Sequence, residues 1–177
     1  MRASTTLIAV IGANTGEVIR RVAAASLNVG FEAVDEQGEA RTESRREAWD
    51  RARQHGLIYT LVNADPLEPL VDEWAKRLEG ESHELELAIA STGATELPDY
   101  YLVDEHLPPP RVDWYLANLG RLAPARVVPV AIEPERLAAR VGALPYGAPF
   151  PSTEQIAATA RDFVPLPQLV AVEHLFG

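Results

Sequence analysis

Apolar runs and amphipathic stretches alternate along the chain. The first run, TLIAVI over residues 6–11, is apolar on both sides and predicts a strand buried on both faces. A glycine turn, Gly12-Ala-Asn-Thr-Gly16, follows it. Asn14 and Glu17 then stand at capping-box spacing ahead of a helix carrying Val18, Ile19, Val22 and Ala23, which ends near Asn28. Residues 29–34 predict a second strand. Residues 43–54 predict a charged helix with Ala48, Trp49 and Ala52 turned inward, and residues 57–62 a third strand. From 65 to 79, Leu67, Leu70, Val71, Trp74 and Leu78 repeat at helical spacing, with Asp65 and Glu68 placed to cap.

The alternation at Glu84-Leu-Glu-Leu87 predicts a fourth strand over 85–90, at an edge of the sheet. Residues 100–103 predict a fifth strand, and a helix with Val112, Tyr115, Leu116, Leu119 and Leu122 inside follows three prolines. A sixth strand is expected over 126–132, where Pro129 favours an edge or a bulge. Pro134 suits the first turn of a short helix that ends at Gly142. Strands alternating with helices predict a three-layer α/β/α fold, Rossmann-like or flavodoxin-like, with five or six mostly parallel strands.

Composition shifts near residue 143. Twelve of the fourteen prolines follow Leu97, and 143–151 is rich in proline and glycine. The chain therefore reads as an α/β domain over 1–142 with a Pro-rich C-terminal extension over 143–177, packed on the same domain or on a partner. Within the extension, Ser152 and Gln155 have capping-box spacing ahead of Ile156, Ala160 and Phe163. The apolar tail over 166–176 is expected to dock as a strand or helix.

With 47% apolar and 24% charged residues the 177-residue chain has the composition of a globular protein. The absence of cysteine excludes disulfides, thiolate nucleophiles and cysteine metal sites. The net charge of −10 is concentrated: residues 65–105 hold twelve acids and two bases, while the flanks balance. Without a basic stripe the chain is not expected to bind nucleic acid or an anionic membrane. Neither a signal-peptide pattern nor an apolar run of membrane-spanning length occurs, so a cytoplasmic protein is expected. A two-fold homodimer is the default expectation for its assembly.

In an open parallel sheet, ligands bind beyond the carboxyl ends of the strands. The residues expected there are Gly12, Asn14, Thr15 and Gly16 after the first strand and Asp35 after the second. Asn63 and Asp65 follow the third, and Ser91 and Thr92 the fourth. The same residue types cap helices and close turns, which is the competing account of each.

A strand, a glycine turn, a helix and an acid nineteen residues after Gly16 form the layout of a dinucleotide site. The segment Val10-Ile-Gly-Ala-Asn-Thr-Gly16 resembles the first turn of atypical short-chain dehydrogenase-like Rossmann proteins. That resemblance implies a pyrophosphate at the turn and a ribose on Asp35. It departs from the pattern where Arg20 and Arg21 replace the later glycine, at Glu17, and in lacking a Tyr-x-x-x-Lys pair. The Thr15 loop is also similar to the phosphate loop of flavodoxin-like proteins, without its second hydroxyl cluster. A purely structural glycine turn accounts for the same residues.

Asp104-Glu105-His106 reads as a solvated loop rather than a metal site, since adjacent side chains diverge. Tyr100-Tyr101 and Trp114-Tyr115 are aromatic pairs of which one member each is expected in the core and the other at a ligand or interface. Ile89-Ala-Ser-Thr-Gly93 lacks the Gly-x-Ser-x-Gly pattern of a nucleophile elbow. The sequence names no cofactor and does not decide whether the protein is an enzyme. Two functions stay open: a domain binding a nucleotide or phosphorylated small molecule at the first turn, and a non-catalytic interaction or oligomerisation module using the Pro-rich loop, the apolar tail and the acidic stretch.

Overall fold

The computed structural model describes residues 5–78, 84–94, 96–144 and 150–164. Within them, five strands form one parallel sheet: β1 (Thr6–Ile11), β2 (Val29–Glu32), β3 (Tyr59–Val62), β4 (Tyr100–Asp104) and β5 (Val127–Val130), in the order β2-β3-β1-β4-β5. The uninterrupted apolar run of β1 takes the central position, where both faces are covered. β5 lies at an edge, where Pro129 removes no donor that an inner strand would need.

Helices α1 (Thr15–Ala25) and α6 (Pro134–Gly142) cover one face, where Ile19, Val22, Leu137 and Val141 meet Ile8 and Val10. The other face carries α2 (Glu39–Ala52), α3 (Glu68–Leu78), α4 (Leu85–Ser91), α5 (Pro109–Leu122) and α7 (Thr153–Thr159) with a 3-10 turn (Ala160–Asp162), packed over Leu7 and Ala9. The β1-to-β2 crossover runs one way along the sheet and the later ones run back. Right-handed crossovers therefore put α1 on the face opposite α2, α3 and α5. The fold is the expected three-layer α/β/α arrangement.

Residues 85–90 are not a strand. They form α4, on which Leu85 and Ala88 are buried and Leu87 is exposed. That burial follows a spacing of three, and Leu, Glu and Ala are strong helix formers, so the short Glu-Leu-Glu-Leu alternation misleads. Ser91 and Thr92 consequently end a helix instead of following a strand. The Thr92 hydroxyl donates to the Ile89 carbonyl at 2.9 Å.

Other differences are smaller. α2 begins at Glu39, four residues before the expected 43, and α3 starts at Glu68 with Pro69 inside its first turn. Asn14 makes no side-chain cap bond and instead adopts a left-handed conformation (φ 55°). Both members of each aromatic pair are buried: Tyr101, Trp114 and Tyr115 in the core on the α5 face, and Tyr100 in the core on the α1 and α6 face. Ser152 does form a capping box with Gln155. Phe150, Ile156, Ala160 and Phe163 join the core beside Trp74 and Trp114, and Asn118 fixes both backbone groups of Val164. The tail over 166–176 and most of the Pro-rich loop lie outside the described residues.

Candidate functional site

β1 leaves the sheet toward α1, while its neighbours β3 and β4 leave toward α3 and α5. The chain therefore parts around the end of β1, which is the switch point at which open sheets bind ligands. Glycine is required at this exit. A Cβ on Gly12 would lie 2.8 Å from Asp104 Cβ and 3.3 Å from Thr15 Cγ2. Asn14 then turns the chain into α1, in a backbone region that asparagine tolerates better than most residues.

The structure brings six of the nine expected residues together. Gly12, Asn14, Thr15, Gly16, Asp35 and Asn63 line an open cleft of about 420 Å³, which also reaches Arg41 and Glu68. Asp35 and Asn63 both lie over Gly16, where an added Cβ would come within 2.9 Å of Asp35 Oδ1 and 3.3 Å of Asn63 Nδ2. Each already has a protein partner. Asp35 is ion-paired with Arg20. Asn63 accepts from the Val34 N–H at 2.7 Å and donates to its carbonyl at 3.1 Å, which ties the end of β3 to the segment following β2.

Asp65 lies in an adjoining inner cavity of about 180 Å³, which shares Gly12, Arg41, Asn63 and Glu68 with the outer cleft. The residue is 5% exposed, and its carboxylate receives three hydrogen bonds. Oδ1 accepts from the Leu67 N–H (2.7 Å) and the Tyr101 hydroxyl (2.8 Å), and Oδ2 from the Tyr115 hydroxyl (2.8 Å). Burial pushes the acid above the ordinary aspartate range, against the pull of these three donors. Burial and the facing Asp65 push both tyrosine hydroxyls well above theirs, so each stays a donor. Asp72, on the wall, is also raised, by burial and by Glu68, against Arg111, Arg45 and Lys76.

Sequence reading missed the group that joins the two cavities. Arg41 Nε donates to both Glu68 oxygens (2.9 and 3.0 Å), and Arg45 donates to Oε2 at 2.8 Å while only 3% exposed. Beyond this group a groove of about 720 Å³ runs between α2 and α4, and Ser91 lines it. Thr92 belongs elsewhere, against Trp49 and Arg53. One signal for the inner cavity is visible in the sequence: a tyrosine inside an apolar strand needs a buried hydroxyl partner, and Asp65 stands directly after another strand.

His106 is exposed, with Nδ1 3.2 Å from Asp104 Oδ1. Among the described residues no group of three or more histidines and acids is arranged to hold a metal ion, and no helix is long and apolar enough to cross a membrane. The arrangement offers a polar cleft at a helix amino end, with a deeper cavity of hydroxyls, guanidiniums and carboxyls behind it. No family model, curated protein or solved structure matches this chain.

Proposed function

We propose that the protein binds a nucleotide or another phosphorylated small molecule at the carboxyl edge of its sheet, with the phosphate against the β1–α1 turn. The observation that supports this is the outer cleft itself, which opens at the switch point and is lined by the Gly12–Gly16 backbone. The first N–H groups of α1 have no acceptor inside the helix, and the helix dipole favours an anion there. Two features temper the acidity nearby: Arg41 reaches the cleft, and Arg20 neutralises Asp35. Asp35 and Asn63 remain at hand to meet ligand hydroxyls. The proposal is a binding function and assigns no reaction.

The test is titration with adenosine monophosphate, glycerol 3-phosphate and inorganic phosphate, followed by amide NMR shifts over residues 12–17. Ala13→Asp adds a negative charge to an exposed turn residue without touching the core. Saturable shifts in the wild type that vanish in the variant support the reading. Shifts that are absent, or equal in both proteins, refute it. Native mass spectrometry of the purified chain tests the proposed homodimer. A dimer that dissociates when residues 164–177 are deleted, in a protein that ignores phosphates, would instead favour the interaction module.

A further inference from the structure

We infer that the inner cavity is a recognition pocket for a carboxylate whose adjacent carbon bears a hydroxyl or ammonium group, with Arg111 holding the carboxylate and Tyr115 the substituent. This deepens the ligand reading above and rests on it only for where the rest of the ligand lies.

Arg111 stands in the first turn of α5, at the positive end of the helix dipole; that turn holds no acid, and Asp72 faces Arg111 from α3. Arg111 lines the cavity, and among the described residues its side chain makes no hydrogen bond or close ion pair, its attraction to Asp72 acting across a longer gap. A cation at the positive end of a helix breaks a local rule, although it offsets Asp72, and such rules are broken most often at functional sites. The planar fork of a guanidinium matches a carboxylate in two parallel hydrogen bonds.

Tyr115 is four residues further on, so α5 presents both side chains on one face. Its hydrogen is committed to Asp65 Oδ2, and its oxygen is left to accept. The cavity thus offers a fork for an anion and an acceptor for a donor beside it. Asp65, Glu68 and Asp72 share the lining with two arginines, which disfavours a dianion such as phosphate more than a monoanion that brings its own donor for the acids. The volume, about 180 Å³, slightly exceeds the roughly 150 Å³ that holds a benzene-sized ligand, so a group of about six to eight non-hydrogen atoms fits.

The experiment titrates the full chain with glycerate, 3-phosphoglycerate and glycerol 3-phosphate at constant ionic strength, and follows the amides of residues 107–115 and 12–17 separately. Glycerate and 3-phosphoglycerate are expected to shift 107–115 saturably in the wild type. Arg111→Gln should weaken this roughly tenfold or more, as loss of a charged hydrogen-bond partner does, and Arg111→Lys should weaken it less. No saturable shift at 107–115, or an equal one in Arg111→Gln, overturns the assignment. Glycerol 3-phosphate lacks the carboxylate and reports on the outer turn alone, so the phosphate reading stands or falls on its own signal.

Discussion

The Tyr115 hydroxyl donates a 2.8 Å hydrogen bond to Asp65 Oδ2, joining α5 to the end of β3 across 50 residues of sequence. Tyr101 reaches the other carboxylate oxygen from β4, and the Leu67 N–H reaches it from the approach to α3. One acid therefore ties together four segments that meet at the carboxyl edge of the sheet. A buried charge held by neutral donors depends on each of them, because losing one leaves a carboxylate oxygen short of a partner.

Tyr115→Phe removes one of the three donors and leaves the packing intact. We expect a loss of about 1–3 kcal/mol in urea unfolding followed by tryptophan fluorescence, the usual cost of taking a partner from a buried charged group. Tyr101→Phe should cost a similar amount, and the double variant should not be additive, since both act on one carboxylate. A change below about 0.5 kcal/mol in either single variant would mean that water replaces the lost donor.

Glu68 is the partner of a buried cation, and its removal should be expensive. Glu68→Ala leaves Arg45, 3% exposed, without its carboxylate, at an expected cost of about 3 kcal/mol. The double variant Arg45→Met with Glu68→Met should recover part of this, because the buried guanidinium goes with its partner and only the more exposed Arg41 loses a carboxylate. Equal losses in the single and double variants would show that the ion pair is not what stabilises this corner.

The contrast between Gly12 and Gly142 separates required glycines from tolerated ones. Gly12→Ala drives a methyl against Asp104 Cβ, on a strand end that cannot swing away, and should destabilise by about 1–3 kcal/mol. Gly142 ends α6 with open space around it and no positive φ, so Gly142→Ala should stabilise by about 0.4–1 kcal/mol. Thermal unfolding of the two variants should shift in opposite directions.

These residues also show what the sequence made legible. β1, α3 and the Ser152 cap were readable because each signal lies within a few positions: an apolar run, a helical repeat, a hydroxyl three residues before a glutamine. The gathering of six residues at one cleft was readable because turn chemistry places them after strands. α4 was misread because a four-residue alternation fits a strand and a helix equally, and only the burial of Leu85 and Ala88 decides. Asp65 with its tyrosines and Arg41 with Glu68 are pairs 27 to 50 residues apart, and local pattern carries no information about such distances. No local pattern singles out Arg111, an arginine directly behind three prolines. Only the fold places it on the cavity wall.

Asn118 gives a test of how the extension is held. It is fully buried, accepts from the Val164 N–H at 2.7 Å and donates to its carbonyl at 3.1 Å. Asn118→Ala should leave both backbone groups unsatisfied, at a cost of about 1–3 kcal/mol. Limited proteolysis should then cut near residue 164 faster than in the wild type. Unchanged cleavage would mean that Phe163 and its aromatic neighbours hold the segment without the amide.

The pH dependence of stability reports directly on Asp65. Burial raises its pKa in the folded state above the ordinary value of 3.8. Between those two values the folded protein retains a proton that the unfolded chain has released. Stability contributed by the group is therefore fully present below the unfolded value and is lost as pH rises through the folded one. Asp65→Asn removes this proton exchange and keeps the shape. Its Oδ1 still accepts from Leu67 and Tyr101, and its amide can donate to the Tyr115 oxygen once that hydroxyl rotates. Urea titrations from about pH 4 to 8 should show the wild type losing stability relative to Asp65→Asn as pH rises, and the difference should level off once the acid is ionised. Asp72 is shifted in the same direction but is present in both proteins, so it cancels from the comparison. A difference that grew in favour of the wild type with rising pH would mean that the three donors outweigh burial and that the carboxylate is stabilised in its charged form.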